Sequence, residues 1–577
     1  MKHFGKGRWC YRPVALADVD ALARQGDLPA ALAEVLLRRG EGVGEGGVRD
    51  FLEPGLRQLP APTLLGGMDR ATTILADALQ HGRPVVVYAD YDVDGLTGAA
   101  VLHQFFREAG RAVTVVQPDR FTCGYGLHAR LVDDIARSHG PGTVLVTVDC
   151  GISDAAEVLA AKRAGLSVII TDHHLPPEHL PQADAVINPR QAGCTFPFKA
   201  LAGAGVAFYL AAGLRQKLRD GGFWNGREEP NLRRYLDLTA IGTICDMVPL
   251  QGVNRVLAGV GLDVLATTER PGLVELKRAA GYEAGQAISA FDVGYRLGPR
   301  LNAAGRMGSP QAALRLLLAA DRLSARGYAS ELETLNLRRR EETEKMTERA
   351  KKILSDVGRR RTLLVGGRGW HIGVLGIVAS RLLEEYYRPT IVYSIDEAGV
   401  AKASGRSVTG FDLHRALVNC TDLLDRFGGH SQAAGLSIAA ERLLEFGERF
   451  EAEAHLVQVA DKPPGEIDAV IEGDFGGSET FLRAYRKLMP FGEGNAEPVF
   501  AMCGCSMRDV GILKDRHLRC AIPFGDRLLP CIGFGLAEAM RLEDEPVDMV
   551  FALRPNFFRG EERWQAHLFS VERSATD

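Results

Sequence analysis

Short apolar runs alternate with helix-length segments between about residues 80 and 190. The runs at 84–88, 144–148 and 167–171 are rich in β-branched residues and lie between glycines or prolines. Continuous apolar runs of this length are typical of strands that are buried on both faces of a parallel sheet. We therefore predict an α/β domain whose ligands bind outside the carboxyl ends of its strands.

Two other patterns follow along the chain. Residues 330–357 contain neither proline nor glycine, and their apolar residues recur at helical intervals among charges, which predicts a long, partly solvated connector helix. A strand-like run at 362–365 then opens a region rich in glycine and histidine. From about residue 465, strand-like runs are separated by turns, which predicts a small β-barrel or sandwich; they lie at 499–502, 549–553 and 566–571.

Composition narrows the class of protein. The 577 residues are too many for one core, and 46% hydrophobic with 25% charged residues is ordinary for folded globular domains. The net charge of −4 provides no general attraction for polyanions, so a nucleic-acid site would have to be local. Ten singly scattered cysteines predict reduced thiols, and we expect a cytoplasmic protein without a signal peptide or a membrane segment.

Acidic and histidine residues follow the predicted strands at the point where each strand ends. We expect a fourth apolar run, at 238–244, to be a further strand, and the three acids after the first strand to stand at alternate positions of an extended segment. Carboxyl ends of parallel strands share one edge of a sheet, so these side chains should lie close together. The residues concerned are, in chain order, Asp90, Asp92, Asp94, Asp149, Asp172, His173, His174 and Asp246.

So many carboxylates at one edge would cost several kcal/mol of repulsion and desolvation unless cations offset it. A cap or turn role could explain any one aspartate taken singly, but not their recurrence at four predicted strand ends. Oxygen ligands with one or two imidazoles, and no thiolate set, favour Mn²⁺ or Mg²⁺ over zinc. Two such ions bridged by a carboxylate are suited to in-line displacement at phosphorus.

Four motifs carry a resemblance to a known family. DYDVDG at 90–95, VDCG at 148–151, TDHH at 171–174 and DMVP at 246–249 resemble the motifs of the DHH phosphoesterase superfamily. Within it, the chain resembles the bacterial single-strand-specific 5′→3′ exonucleases from about residue 51 to its end. The segments that add to this resemblance are RF at 120–121, GYGL at 124–127, RLNAAGRMGSP at 300–310, GWHIGVLGIVASR at 369–381 and RFGGHSQAAG at 426–435.

The resemblance implies an α/β fold with five parts. An N-terminal extension would occupy residues 1–50, and a parallel-sheet DHH catalytic domain residues 51–315. A connector helix at 316–358 would lead to an α/β DHHA1 substrate-binding domain at 359–460. A C-terminal β-barrel of the OB fold would occupy residues 461–577.

The resemblance also implies a set of metal ligands. The first ion would be held by Asp94, Asp149, His173 and Asp246, and the second by Asp92 and the bridging Asp149, with Asp90 nearby. His174 would contact phosphate or support the ligands, and Asp172 would orient the imidazoles. Many members of the superfamily have a histidine where this chain has Tyr88, so we expect the second ion to be held more weakly or to be completed by water.

Substrate residues are implied in the same way. Gly428, Gly429 and His430 resemble the substrate-binding signature of the DHHA1 domain, and a turn with a capping histidine is the alternative. Arg120, Arg306, Ser404 and Arg406 would form a pocket for a 5′-terminal phosphate, and surface ion pairs are the alternative for the arginines. Trp370 could stack a base or pack in a core. We expect core positions for the barrel aromatics Phe524, Phe534, Phe557 and Phe558.

The expected function is hydrolysis of single-stranded DNA, 5′→3′, to 5′ mononucleotides by two-metal catalysis, in DNA repair and recombination. The expected partners are single-stranded DNA, single-strand-binding protein and a helicase, with a monomeric state and no membrane. One alternative is a phosphoesterase of the same superfamily that acts on short oligonucleotides or cyclic dinucleotides. The other is a catalytically inactive replication scaffold, which the intact set of expected ligands disfavours.

Overall fold

The computed structural model describes residues 1–40, 47–121, 123–308, 310–356, 358, 360–456, 462–471, 478–558 and 561–574. The chain divides into two compact units. The first comprises Met1–Gly298, Leu314–Arg326 and Pro464–Asp577, and the second comprises Pro299–Ala313 and Gly327–Pro463. No helix in the described ranges is long and apolar enough to cross a membrane.

The N-terminal residues of the first unit pack with its C-terminal residues. The elements are strands β1 (Lys2–Phe4) and β2 (Trp9–Tyr11), which pair antiparallel, and helices α1 (Leu16–Gly26), α2 (Ala30–Arg38) and α3 (Gly47–Leu52). Leu32 and Val35 of α2 share a hydrophobic core with Phe481 and Phe551 near the other end of the chain. The N-terminal segment therefore completes the C-terminal domain.

A five-stranded parallel sheet lies at the centre of the first unit. Its strands, in the spatial order β4-β3-β5-β6-β7, are β3 (Val85–Ala89), β4 (Thr114–Val116), β5 (Val144–Val148), β6 (Ser167–Thr171) and β7 (Ala185–Ile187). The accompanying helices are α4 (Met68–His81), α5 (Val93–Glu108), α6 (Ala129–His139), α7 (Ala155–Arg163) and α8 (Gly203–Asp220). All residues of β3 and β5 are buried, which confirms the strands predicted from their continuous apolar runs.

Two local predictions were wrong. The run at 238–244 belongs to helix α9 (Leu236–Cys245), of which every residue from Leu236 to Ile244 is buried, so Asp246 follows a helix and not a strand. An apolar run that is buried all round has no period that distinguishes a helix from a strand. Likewise, Asp92 is the N-cap of α5 and Asp94 lies in its first turn, so these acids do not share an extended segment.

Further helices make up the rest of the first unit and the first part of the second. They are α10 (Gly252–Ala266), α11 (Pro271–Ala279), α12 (Ala290–Asp292) followed by a π-helical turn (Val293–Leu297), α13 (Gly298–Met307), α14 (Gln311–Leu317) and α15 (Arg322–Ile353). The long helix predicted at 330–357 is thus confirmed as most of α15.

The second unit is built on a five-stranded sheet in the order β11-β12-β10-β9-β8. Its strands are β8 (Leu363–Arg368), β9 (Thr390–Ile395), β10 (Val400–Arg406), β11 (Arg426–Gly429) and β12 (Ala433–Ala439), with helices α16 (Leu375–Tyr386), α17 (Leu413–Val418) and α18 (Leu443–Leu456). Trp370 is buried in a hydrophobic core that includes Val374 and Val378, so it is a core residue and not a base platform.

The C-terminal part of the first unit is a mostly antiparallel sheet of seven strands. Strand β13 (Gly465–Glu466) pairs with β2, and helix α19 (Ser478–Leu488) packs into the core. The seven strands are β14 (Ala469–Ile471), β15 (Val499–Cys505), β16 (Arg508–Leu513), β17 (His517–Phe524), β18 (Arg527–Gly533), β19 (Val547–Phe558) and β20 (Glu561–Arg573), in the order β14-β15-β19-β20-β18-β17-β16.

The aromatic residues of this sheet only partly follow the prediction. Phe524 is buried, as expected. Phe534 is exposed, so its predicted core position is wrong: it follows the last residue of β18 and lies against His517 and His567 on the outward face. The side chains of Phe557 and Phe558 lie outside the part of the chain that the structure describes.

Candidate metal centre

The N-terminus of α5 places two aspartates beside the end of β3. Asp92 caps the helix, because its Oδ1 accepts hydrogen bonds from the main-chain N–H groups of Asp94 (2.9 Å) and Gly95 (3.2 Å). The turn between strand and helix therefore brings Asp90, Asp92 and Asp94 together without an extended segment. Helix capping is the alternative role that could have explained Asp92 taken singly. The same cap also fixes the main-chain N–H of Asp94.

The first residues of α8 hold Asp94 in place. The main-chain N–H of Gly203 donates to Oδ2 of Asp94 at 2.6 Å, and that of Ala204 donates to Oδ1 at 2.9 Å. A helix N-terminus stabilises a carboxylate in this way through its unpaired N–H groups and its dipole. A Cβ atom at Gly203 would lie 2.7 Å from Cβ of Asp149, so only glycine allows this approach.

Asp149 lies at the end of β5 with a left-handed backbone (φ 62°). A non-glycine residue adopts this conformation at a cost, which the surrounding structure must offset. The main-chain N–H of Asp149 donates to the carbonyl oxygen of Thr171 (2.9 Å), and its own carbonyl accepts from the hydroxyl of Tyr125 (3.2 Å). The carboxylate is thereby aimed at His173, the second residue after β6.

His173 lies among three carboxylates. Its Nε2 is 3.1 Å from Oδ1 of Asp149, 3.5 Å from Oδ2 of Asp246 and 3.9 Å from Oδ2 of Asp94. Burial and the neighbouring His174 lower the pKa of His173 to about 3, so the imidazole is neutral at physiological pH and is suited to bind a metal ion.

Three overlapping triads each offer ligand atoms within 4.8 Å of one another. They are Asp90, Asp92 and Asp149; Asp94, His173 and Asp246; and Asp149, His173 and His174. Asp149 belongs to two of the triads, and so does His173. The sequence-derived ligand set is therefore brought together around a shared carboxylate, whereas the participation of His174 in a triad was not predicted.

Four buried ligand atoms of the cluster lack hydrogen-bond partners in the described part of the chain. Oδ1 of Asp90, Oδ1 of Asp149, Oδ2 of Asp246 and Nε2 of His173 are buried and have no hydrogen-bond partner within the described ranges. Burial and the neighbouring carboxylates raise the pKa of Asp90 and of Asp149, that of Asp94 to about 7 and that of Asp246 to about 9. Lone pairs left unpaired on buried carboxylates and an imidazole are what Mn²⁺ and Mg²⁺ bind, so these residues fit such ions.

Three family models match the chain in the order of its domains. They are the N-terminal domain of the DHH family at residues 84–243, the DHHA1 domain at 358–455 and the RecJ OB domain at 467–569. The single-stranded-DNA-specific exonuclease RecJ of Dickeya dadantii is 38% identical over 558 residues, which cover 92% of this chain and 94% of that relative. The chain belongs to the RecJ family. The RecJ of Bacillus subtilis is 36% identical over 92% of this chain, which spans 66% of that relative's length.

Solved RecJ structures have the same fold. The RecJ of Thermus thermophilus in complex with Mn²⁺ matches with a TM-score of 0.80 and 30% identity, over 99% of this chain and 80% of that one. Its complex with Mg²⁺ matches with a TM-score of 0.73 and 28% identity, over 99% and 79% of the two chains. Mn²⁺ and Mg²⁺, the metals of these two complexes, are also the metals that carboxylate and imidazole ligands like those of this chain favour.

A supporting network in this RecJ-family site surrounds Asp172. Its Oδ1 accepts hydrogen bonds from the main-chain N–H of His173 (2.7 Å) and lies 2.7 Å from Nδ1 of His174, while Oδ2 accepts from the N–H of Ile152 (3.0 Å). Burial opposes ionisation of Asp172, but the hydrogen bonds from His174 hold its pKa below the usual value. Asp172 thus contacts both histidines, consistent with its expected orienting role.

Two tyrosines, Tyr88 and Tyr125, form hydrogen bonds beside the candidate metal centre. Tyr88, at the position where many DHH proteins have histidine, is fully buried, and its hydroxyl donates to the carbonyl oxygen of Gly126 (3.0 Å). This bond holds the loop that carries Tyr125, whose hydroxyl lies 3.1 Å from Nδ1 of His174. The sequence motif GYGL contained the signal for Tyr125, but its contact with the metal cluster could not be predicted from spacing. The contact of Gly203 and Ala204 with Asp94 was missed for the same reason.

The predicted substrate residues fall in both units. Arg120 lies in the first unit, with its guanidinium 5.5 Å from the centre of the Tyr91 ring. In the second unit, the guanidinium of Arg406 donates to Oγ of Ser404 (3.3 Å), and Arg306 donates to the carbonyl oxygen of Gly373 (3.3 Å). A Cβ atom at Gly376, in the first turn of α16, would lie 3.0 Å from Oγ of Ser404 and 3.0 Å from Nη2 of Arg406, so both groups lie near the start of that helix.

The glycine pair of the DHHA1 signature lies on the same sheet as Ser404. Gly428 of β11 is opposite Gly435 of β12, which in turn is opposite Ser404 of β10. Adjacent strands are about 4.8 Å apart, so Gly428 and Ser404 are about 10 Å apart across the sheet. His430 is exposed just beyond Gly429, and its main-chain N–H donates to the carbonyl oxygen of Ala433 (2.8 Å).

Proposed function

We propose that this chain is a metal-dependent exonuclease that degrades single-stranded DNA. The observation that carries the proposal is the buried cluster of carboxylates and imidazoles with unpaired ligand atoms, in a chain of the RecJ family. Relatives that align with 92% of this chain are named single-stranded-DNA-specific exonuclease RecJ.

We assign one ion to Asp94, Asp149, His173 and Asp246, and a second to Asp92 and Asp149 with Asp90 nearby. The membership of Asp149 in two triads supports its bridging role. Divalent ions in such a site lower the pKa of water and stabilise the charge that develops on a phosphodiester. The N–H groups at the start of α8 keep Asp94 oriented, and Asp172 accepts a hydrogen bond from the main-chain N–H of His173, so both ligands are preorganised.

The 5′→3′ direction and the release of 5′ mononucleotides require recognition of a chain end. Arg306, Ser404 and Arg406 are proposed to bind a 5′-terminal phosphate, because two guanidinium groups and a hydroxyl lie near the segment leading into α16. Arg120, in the first unit, is likewise proposed to bind phosphate of the substrate. Gly428, Gly429 and His430 are proposed to contact the DNA backbone, since glycines allow main-chain N–H groups to approach phosphate.

The two alternative functions are disfavoured by different observations. An inactive scaffold would have no need for a buried acidic cluster with unpaired ligand atoms. A phosphoesterase of small substrates would have no need for a RecJ OB domain, which matches residues 467–569. Comparison of cleavage rates on dinucleotides and on long single strands separates the last alternative from the proposal.

The cellular context also forms part of the proposal. We propose a cytoplasmic monomer that meets single-strand-binding protein and a helicase during DNA repair and recombination. Light scattering of the purified chain tests the monomeric state. Co-purification with tagged single-strand-binding protein or helicase, before and after nuclease treatment, tests direct contact.

The function itself is tested by a time course on single strands labelled at the 5′ or the 3′ end, with Mn²⁺, Mg²⁺ or chelator present. The proposal predicts immediate release of labelled mononucleotide from the 5′ end and progressive shortening of 3′-labelled strands, each abolished by chelator. Cleavage that persists in chelator, or label released first from the 3′ end, would contradict it.

A further inference from the structure

We infer that a cavity on the first unit, away from the metal centre, binds a nucleoside 5′-monophosphate. The inference rests on the proposed function, because 5′ mononucleotides are the products that this function releases. The cavity, which we call the arginine cavity, is lined by Arg107, Arg233, Arg234 and Arg270 together with polar and acidic side chains. The proposed cleavage reaction uses none of these arginines.

The arginine cavity lies where several helices of the first unit begin or end. The last turn of α5, a 3₁₀ turn (Leu232–Tyr235), the start of α9 and the connection from α10 to α11 surround it. Its volume is about 480 Å³, which is within the range of small-molecule sites. The cavity is therefore large enough for a ligand of nucleotide size.

A buried ion pair lies in the wall of the cavity. The carboxylate of Asp237 is buried and accepts hydrogen bonds from the guanidinium of Arg270 (2.9 Å) and from the hydroxyl of Thr268 (2.8 Å). The guanidinium of Arg270 also lies 5.8 Å from the centre of the Tyr235 ring, whose hydroxyl donates to Oε2 of Glu108 (2.7 Å). A buried ion pair contributes little net stability, so we attribute to this one the positioning of the polar groups in the wall.

Three further guanidinium groups of the cavity are available for an anion. Arg107, Arg233 and Arg234 form no ion pair with a carboxylate in the part of the chain that the structure describes. Arg107 donates to Oε1 of Gln104 (2.6 Å), and the side chain of Asn231 caps the turn that carries Arg233 by accepting from its main-chain N–H (3.1 Å). Guanidinium groups around one cavity offer paired donors that match the oxygens of a phosphate.

Carboxylates in the same cavity distinguish a nucleotide from other anions. Asp263 and Glu269 line it and have no ion-pair partner among the described residues. Their charges disfavour a polyanion such as a DNA backbone, but they can accept hydrogen bonds from sugar hydroxyl groups or from the amino groups of a base. Val264 and Pro271 add apolar surface. A nucleoside 5′-monophosphate matches this arrangement, because it has one anionic end and one neutral end that forms hydrogen bonds.

The length of a helix separates the arginine cavity from the metal centre. Asp92 caps the start of α5 and Arg107 lies in its last turn, and the 16 residues of this helix span about 24 Å. In the same way, Asp237 lies in the first turn of α9 and Asp246 caps its other end. A nucleotide in the cavity is therefore too far from the metal ligands to share an ion with them, so its binding can be measured without metal.

The test is isothermal titration calorimetry of the full chain with thymidine 5′-monophosphate, in chelator so that no ion holds the nucleotide at the metal centre. Arg107→Ala and Arg233→Ala should each weaken binding roughly tenfold, because each removes charge-assisted hydrogen bonds to the phosphate. Both side chains are exposed, so the variants should fold like the unaltered chain. Arg130→Ala, which changes an exposed arginine on α6, is the control and should bind the nucleotide with unchanged affinity.

Other ligands and one further variant separate the alternatives. Inorganic phosphate and thymidine should each bind more weakly than the nucleotide, and Arg406→Ala, in the proposed 5′-phosphate pocket, should keep binding in the cavity. The inference would be overturned by absence of nucleotide binding, by phosphate that binds as tightly as the nucleotide, or by a loss confined to Arg406→Ala. It would also be overturned if Arg233→Ala weakened the binding of oligothymidylate as much as that of the nucleotide, because the cavity would then belong to the DNA-binding surface.

The end-label time course keeps this inference separate from the proposed function. If the unaltered chain cleaves single strands in Mn²⁺ but Arg107→Ala and Arg233→Ala bind the nucleotide as it does, only the arginine cavity is refuted. If those variants lose nucleotide binding but the unaltered chain cleaves no single strand, the proposed function fails and the cavity is supported as a nucleotide site.

Discussion

Replacing Asp149 by asparagine should make the chain more stable without metal and insensitive to metal. In chelator, Oδ1 of Asp149 is a buried carboxylate oxygen without a hydrogen-bond partner in the described part of the chain, and it lies 3.1 Å from Nε2 of His173. An asparagine has nearly the same shape but no charge, and its amide can donate a hydrogen bond to that nitrogen. The substitution therefore removes repulsion and satisfies a buried acceptor.

The size of the two effects follows from the environment of the residue. Removing an uncompensated buried charge should raise the free energy of unfolding in chelator by about 1–3 kcal/mol. An ion at one hundred times its dissociation constant should stabilise the unaltered chain by about 2.7 kcal/mol, which is roughly 5–10 °C for a domain of 150–250 residues. Asp149→Asn should lose most of this metal-induced increase.

Thermal unfolding in chelator and in Mn²⁺ measures both effects on the same samples. Because a chain with two compact units need not unfold in one step, the transition that responds to Mn²⁺ is the one to compare. Asp133→Asn, which changes an exposed aspartate on α6, is the matched control and should behave like the unaltered chain. A variant at position 149 that is less stable in chelator would show that the carboxylate does not destabilise the metal-free chain, and a full response to Mn²⁺ would show that Asp149 is not a ligand.

Three further predictions follow from other contacts. Arg255→Met should lower the free energy of unfolding by about 3–5 kcal/mol in a urea titration. The reason is that the buried guanidinium donates to four main-chain carbonyl groups, those of Phe51, Lys487, Leu488 and Met489. An unchanged urea midpoint would contradict this prediction. Gly203→Ala should abolish stabilisation by Mn²⁺, because the added Cβ would displace Asp149. Gly205→Ala is the control and should keep this stabilisation, because its Cβ would have no neighbour closer than 3.4 Å. Equal responses of the two variants to Mn²⁺ would show that the close approach of Gly203 to Asp149 is unimportant. Affinity for single-stranded DNA should fall steeply with salt despite the net charge of −4, and a flat dependence would exclude binding through phosphates.

The sequence predicted the central sheet well because its strands have an unmistakable pattern. Val85–Ala89 and Val144–Val148 are short, continuous, β-branched runs next to helix-length segments, and this pattern is typical of buried parallel strands. The run at 238–244 is also short and rich in β-branched residues, but it forms the buried helix Leu236–Cys245. Burial on all sides removes the polar positions that would have revealed its period.

The clustering of the candidate metal ligands could be predicted from the sequence, but the groups that hold these side chains in place could not. The motifs identified Asp94, Asp149 and His173 because these residue types follow apolar runs, and the structure brings them together. The donors to Asp94 are main-chain groups of Gly203 and Ala204, about one hundred residues away in sequence, and main-chain groups leave no residue-type signal. Contacts of this kind depend on how helices pack around the sheet.

The C-terminal domain illustrates a second limit of sequence patterns. Strand and turn spacing indicated its sheet, but the contribution of helix α2 to its core depends on contacts between the two ends of the chain. The exposure of Phe534 likewise depends on its position just after β18, on the outward face beside His517. The default expectation that aromatic residues are buried therefore fails at Phe534.

Anomalous diffraction from crystals of the full chain grown in Mn²⁺ would locate the ions themselves. Two manganese peaks about 3.5–4 Å apart are expected, with Asp149 between them and Asp94, His173 and Asp246 around one of the two. Absence of manganese from the cluster, or peaks only at other residues, would rule out the two-metal assignment.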